Sequence, residues 1–95
     1  MTNIDLNMDT EGIRKLTSVY KAIDHPVRMK MVQLIHSQET ISVMEICCKL
    51  GLDKESVSKQ LSVLRKAEIV QAEQRSRFRY YSLNYKMLEH LQNGL

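Results

Sequence analysis

Lys54, Ser56, Lys59 and Gln60 fall within seven residues, and Arg75, Arg77 and Arg79 follow at every second position further on. These side chains offer ammonium, hydroxyl, amide and guanidinium groups, a set suited to holding polar ligands rather than breaking bonds. Glutamine can pair at two points with an adenine edge, and lysine or serine reaches a base edge or a phosphate, each good two-point pair giving ~1–3 kcal/mol of discrimination. Arginines spaced by two around a turn are expected to point the same way, towards a minor groove or phosphates. Solvated surface charge is the plainer reading of either group. Their succession favours contact with nucleic acid, clearly for Lys54, Ser56, Lys59 and Gln60, and among the arginines for Arg75 and Arg77. Arg79 alternates with aromatics and reads as structural. Ser58, Ser62, Lys49 and Thr40 are weaker phosphate candidates.

Two short helices joined by a tight turn would position the first group. Ser42 followed by Glu45 is a capping box, so a helix is expected from Val43. Val43, Ile46, Cys47 and Leu50 repeat at one-face spacing, and Gly51 stands where a positive φ would end the helix. Asp53 is the next N-cap, and Val57, Leu61 and Leu64 mark the buried stripe of a second helix running to about Ala67. Lys54, Ser56, Lys59 and Gln60 are then expected on its outward face. Cys47, Gly51 and Val57 are spaced to let the helices pack closely, as in a helix-turn-helix.

Upstream, residues 1–8 show no sustained period and are expected to fray. Ile13, Leu16, Tyr20 and Ile23 step at helical spacing, so residues 9–23 read as an amphipathic helix capped by Asp9 or Thr10. Pro26 suits the first position of a second helix. There Val27, Met29, Met31, Val32, Leu34 and Ile35 leave apolar groups on most sides, the pattern of a helix buried between others. His36 to Thr40 reads as a polar connection, with a short strand at Thr40-Ile41. Downstream, residues 68–73 and Phe78 to Leu83 are β-rich runs around a polar turn, and the lack of glycine predicts a longer, flexible loop rather than a two-residue hairpin. Tyr85, Leu88 and Leu91 begin a last helix, Asn84 to Gln92, with Gly94 beyond.

At 95 residues the chain makes one small domain, and a partner subunit would help it bury enough surface. Its net charge of +3 is unevenly spread. Residues 1–12 hold three acids and no base, whereas Lys54 to Arg79 carry seven bases against three acids, the footprint expected of a nucleic-acid face. No apolar run approaches a membrane span and the start lacks the features of a signal peptide, so a cytosolic protein without membrane contact is expected. The adjacent Cys47 and Cys48 are expected as reduced thiols, Cys47 packed as a small hydrophobe and Cys48 more exposed. No phosphate loop, nucleophile elbow or paired-carboxylate cleft is legible, and a non-enzyme is expected.

The runs Ala22-Ile23-Asp24-His25-Pro26-Val27-Arg28, Ile46 to Leu52, Ser56 to Ala67 and Arg79-Tyr80-Tyr81-Ser82-Leu83 resemble the ArsR/SmtB family of bacterial repressors over residues 15–90. The resemblance implies a winged helix whose first and last helices build a homodimer, placing two recognition helices in successive major grooves of a palindromic operator. Gln60 stands where the family usually has histidine. Positions matching the family's soft-metal box are Ser42 and Met44, and those matching its zinc site are Tyr85 and Met87, so neither site is expected. The cysteine pair of its redox-sensing branch is missing too.

Together these readings predict a mostly α fold with a small β-wing in the order α-α-α-α-β-β-α, with a short extra strand near residues 40–41. The helix-turn-helix would occupy 42–67, the wing 68–83 and a dimerisation helix 84–92, after a flexible 1–8. The expected function is that of a homodimeric transcriptional repressor binding a palindromic operator in double-stranded DNA, needing no cofactor or metal and dimerising through Ile13, Leu16, Tyr20, Leu88 and Leu91. A protein-binding winged helix, and a thiol- or ligand-responsive repressor using Cys48, are the rivals.

Overall fold

A computed structural model describes residues 10–93, with side chains as far as 90. Asp9, the segment 1–8, the Leu91 side chain and Gly94 lie outside the described residues. Five helices and three strands follow in the order α1 (Thr10–Ile23), α2 (Pro26–Gln38), β1 (Ile41–Ser42), α3 (Val43–Leu50), α4 (Lys54–Lys66), β2 (Val70–Arg75), β3 (Phe78–Leu83) and α5 (Tyr85–Asn93). This is the winged helix expected, extra strand included.

Local chemistry sets the boundaries. His25 is extended, at φ −159°, and its Nδ1 accepts from the Val27 amide, while Pro26 opens α2. At α3 the Ser42 hydroxyl oxygen accepts from the Glu45 amide and the Glu45 carboxylate accepts from the Ser42 amide, completing the capping box. Gly51, at φ 66°, closes α3, and the Asp53 carboxylate caps α4 two residues later. The Asn84 side-chain oxygen accepts from the Met87 amide and starts α5.

The core lies where α2, α3, α4 and the sheet meet. Met31, Ile35, Ile41, Ile46, Val57, Leu61, Leu64 and Ile69 are almost fully enclosed. Each such side chain contributes roughly 1.5–3 kcal/mol of burial. Val57, Leu61 and Leu64 form the predicted stripe of α4.

Some local expectations are corrected. Helix α2 continues through His36 and Ser37 to Gln38, because nothing there breaks a helix; the turn comes at Glu39, with φ 68°. Its Met29 is 47% exposed rather than enclosed, since at ~100° per residue it lies nearly opposite Val27, Met31 and Ile35, where no element packs. On α1 the core is met by Val19 and Ala22 rather than by the expected stripe, of which Ile13 and Tyr20 stand exposed and Leu16 and Ile23 half-buried.

The wing also differs from the long, flexible loop expected. Strands β2 and β3 pair antiparallel with Arg75 opposite Phe78, leaving only Ser76-Arg77 as the connection. It is therefore a two-residue hairpin. Ser76 supplies the positive φ, 59°, that glycine or asparagine more often provides at the first position of such turns. Strand β1 pairs with the other side of β3, Ile41 opposite Tyr81, giving the order β1-β3-β2.

Candidate nucleic-acid interface

Helix α4 is set by its buried stripe, and its opposite face is open. Ser58, Lys59, Ser62 and Arg65 are exposed there. Lys54 is exposed at the helix start, beside the wing. Ser56 and Gln60 do not share this outward face. Both are half-buried on a flank, where Asp53 reaches Ser56 and Arg28 of α2 reaches Gln60. The Ser56 hydroxyl donates to Asp53 at 2.6 Å, and the Gln60 Oε1 accepts from Arg28 Nη1 at 2.7 Å.

The hairpin register fixes the wing arginines. Residues directly opposite in an antiparallel pair share a face, so Arg75 goes with Phe78, Glu73 and Tyr80, and Arg79 goes with Gln74 and Tyr81. Arg75 and Arg79 therefore lie on opposite faces of the ribbon, not on one as their spacing by two suggests; the tight turn reverses the alternation. Arg75 donates to Glu73 at 3.0 Å and lies 5.3 Å from the centre of the Tyr80 ring. Its hydrogen bond to Glu73 raises its pKa further. Arg77 occupies the turn itself.

On the other face Arg79 and Tyr81 border a groove with Ser58, Ser62 and Arg65 of α4. A second groove joins Lys54 to Gln74, Arg77 and Phe78, with Ser42 and Met44 on its far wall. Helix face and wing thus form one basic surface. Arg65 and Arg79 belong to it, beyond the DNA-contact residues expected from sequence. Two signals mark them: Ser58, Ser62 and Arg65 recur at positions i, i+4 and i+7, and a two-residue turn reverses strand alternation.

The carboxylate that starts α4 is held below the ordinary range of an aspartate, first by the Ser56 hydroxyl and then by the Ser56 amide. Glu45 is lowered likewise, by the Ser42 amide first and its hydroxyl second. Cys47 is half-buried against the core and Cys48 exposed. Among the described residues no three His, Cys, Asp or Glu side chains gather as a metal site. Of the residues expected at a subunit interface, Ile13 and Tyr20 are exposed and Leu16 and Leu88 half-buried.

A tight helix-turn-helix with a β-ribbon beside its second helix defines the winged helix-turn-helix class of DNA-binding proteins. The helix-turn-helix domain family matches the chain over residues 23–71. The transcriptional repressor SdpR of Bacillus subtilis is 31% identical over 74 residues, covering 78% of this chain and 81% of that protein. An ArsR-like transcriptional regulator from Rhodococcus sp. RHA1 has the same fold at a TM-score of 0.81 and 17% identity, over 88% of this chain and 78% of that one. The transcriptional repressor PagR of Bacillus anthracis overlays at a TM-score of 0.77 and 22% identity, over 90% of this chain and 98% of that one. The chain belongs to the helix-turn-helix domain family and is a DNA-binding transcriptional regulator, with the winged-helix fold of the ArsR-like regulator.

Proposed function

We propose that the protein is a homodimeric repressor that reads an inverted repeat with half-sites ~34 Å apart. One observation carries this reading: the outward face of α4 and Arg79 of the wing border the same groove. In the proposed complex Lys59, Ser58 and Ser62 meet the major groove. Lys54, Arg65, Arg77 and Arg79 hold the phosphates or the adjoining minor groove, and Arg75 and Ser56 lie at the margin. Gln60, held by Arg28, orients the helix more than it reads bases. The dimer forms through Ile13, Leu16 and Tyr20 of α1 with Leu88 and Leu91 of α5, and the exposure of Ile13 and Tyr20 supports this. The similarity to SdpR supports repression over activation.

The whole chain from the helix-turn-helix through the last helix acts as one unit, by binding rather than catalysis and without a resident cofactor. No helix among the described residues is long and apolar enough to cross a membrane, which supports action in the cytoplasm. Selection of bound sequences from random duplex DNA, with the reduced, metal-free protein, tests the proposal. An enriched inverted repeat is expected. Weak, salt-sensitive binding without enrichment would overturn sequence-specific reading.

A further inference from the structure

Helices α1 and α4 enclose a groove on the flank of α4 away from the wing. Its floor is apolar, formed by Ala22, Val63 and Ala67, with Ile13 at one margin. Around it stand Arg14, Lys21, Arg28 and Lys66, and no acidic residue lines it. None of these four cations takes part in the ion pairs found among the described residues, Lys15–Glu68 and Arg75–Glu73. On α1 the groove side carries Arg14, Thr17, Ser18 and Lys21. Arg14, Ser18 and Lys21 lie roughly a quarter-turn or more from Leu16 and Tyr20, so a subunit contact through those two with Ile13 reaches only the margin of the groove and leaves its cationic side open.

Arg28 links this groove to α4. Its Nε donates to the Ala22 carbonyl at the end of α1, and its Nη1 donates to Gln60. Among the described residues the only side-chain partner of this guanidinium is thus a neutral amide. A charged oxygen forms the stronger, charge-assisted bond with arginine, roughly twice as strong as a neutral one. An anion in the groove would compete with Gln60 for Arg28.

We propose that the α1–α4 groove is an effector site for a small amphipathic anion, whose apolar body covers the floor and whose head engages the cationic rim. By drawing Arg28 away from Gln60, the bound anion loosens the tie that orients α4. The effect on DNA rests on the function proposed above; the binding itself does not.

Calorimetric titration of the full chain without DNA, using decanoate, decyl phosphate and decanol, tests the site. Decanoate and decyl phosphate should bind with saturation, carboxylate and phosphate heads being distinguished by their relative affinities, and decanol should bind about tenfold more weakly or not at all. Arg14→Glu and Lys21→Glu, both changes of solvent-facing side chains, should each weaken decanoate by about tenfold. Equal binding of decanol, or unchanged affinity in both variants, would overturn the proposal. So would dissociation of a dimer by either variant in ultracentrifugation without decanoate, which would assign the groove to a second copy of the chain. In a parallel assay decanoate should release a selected duplex from the native protein and not from Lys21→Glu. Binding without release would overturn the part given to Arg28. Failure of the protein to select any duplex would instead remove the DNA reading while the titration still decides the site.

Discussion

Arg28 Nη1 donates to Gln60 Oε1 at 2.7 Å, so a side chain in the first turn of α2 holds the middle of α4. The same guanidinium reaches the last turn of α1. Three helices are thereby fixed to one another by a single planar group.

Removing either partner should therefore destabilise the fold, and removing both should cost less than the sum. For Arg28→Ala, Gln60→Ala and the double variant, urea unfolding is expected to give a coupling energy of ~1–3 kcal/mol. Gln60→Glu keeps an acceptor and adds an opposite charge, so its midpoint should hold or rise. Zero coupling would mean that the bond does not form in solution.

Base-reading and phosphate-holding side chains should separate in duplex selection. Lys59→Ala is expected to shift the preferred bases. Arg77→Ala and Arg79→Ala should weaken binding to every sequence alike and flatten the salt dependence by ~0.9 in slope for each phosphate no longer neutralised. Arg75→Ala should do less, because that guanidinium is already engaged by Glu73 and Tyr80 on the far face. A uniform loss for Lys59→Ala would refute this division.

The caps make stability depend on acid. Hydrogen bonds from Ser42 and Ser56 lower the folded pKa values of Glu45 and Asp53 below their unfolded ones. Each carboxylate thus contributes fully above its unfolded pKa, about 4. The contribution is lost as pH falls through the lower folded value. Melting temperature should fall below about pH 4. Ser42→Ala should lower stability at neutral pH by ~1 kcal/mol for the missing cap, and reduce the acid dependence that Glu45 contributes. An unchanged acid profile in that variant would argue against the box.

Two backbone positions should respond in opposite directions. Ser76 adopts φ 59° in the hairpin, and Ser76→Gly should stabilise it by relieving the left-handed strain. Gly51→Ala would place a Cβ in open space, with nothing within 4 Å, so its cost is purely conformational, ~1–2 kcal/mol. Thermal unfolding would register roughly 4–8 °C per kcal/mol in a domain of this size.

The α3–turn–α4 unit is legible almost residue by residue because each boundary is written in one local interaction: Ser42 with Glu45, the glycine at 51, Asp53 with Ser56. The wing is less so. Its turn depends on Ser76 accepting a φ that the residue type does not advertise, and once that two-residue connection forms, the faces of Arg75 and Arg79 follow. Met29 and Gln60 depart from expectation for a different reason. Periodicity locates a helix face, but which neighbours cover it is decided by packing across the chain, and the Arg28–Gln60 bond spans 32 positions.

Among the described residues the strand order β1-β3-β2 leaves β2 with one side unpaired. A six-residue edge is long enough to template another chain, a hazard for any sheet so small. Along it Gln71, Glu73, Gln74 and Arg75 alternate polar and charged groups of both signs, with Glu73 and Arg75 locked together. Any strand docking there would have to strip water from that pair. Charged side chains of both signs along the strand, Glu73 and Arg75 among them, therefore disfavour edge-to-edge pairing of the wing.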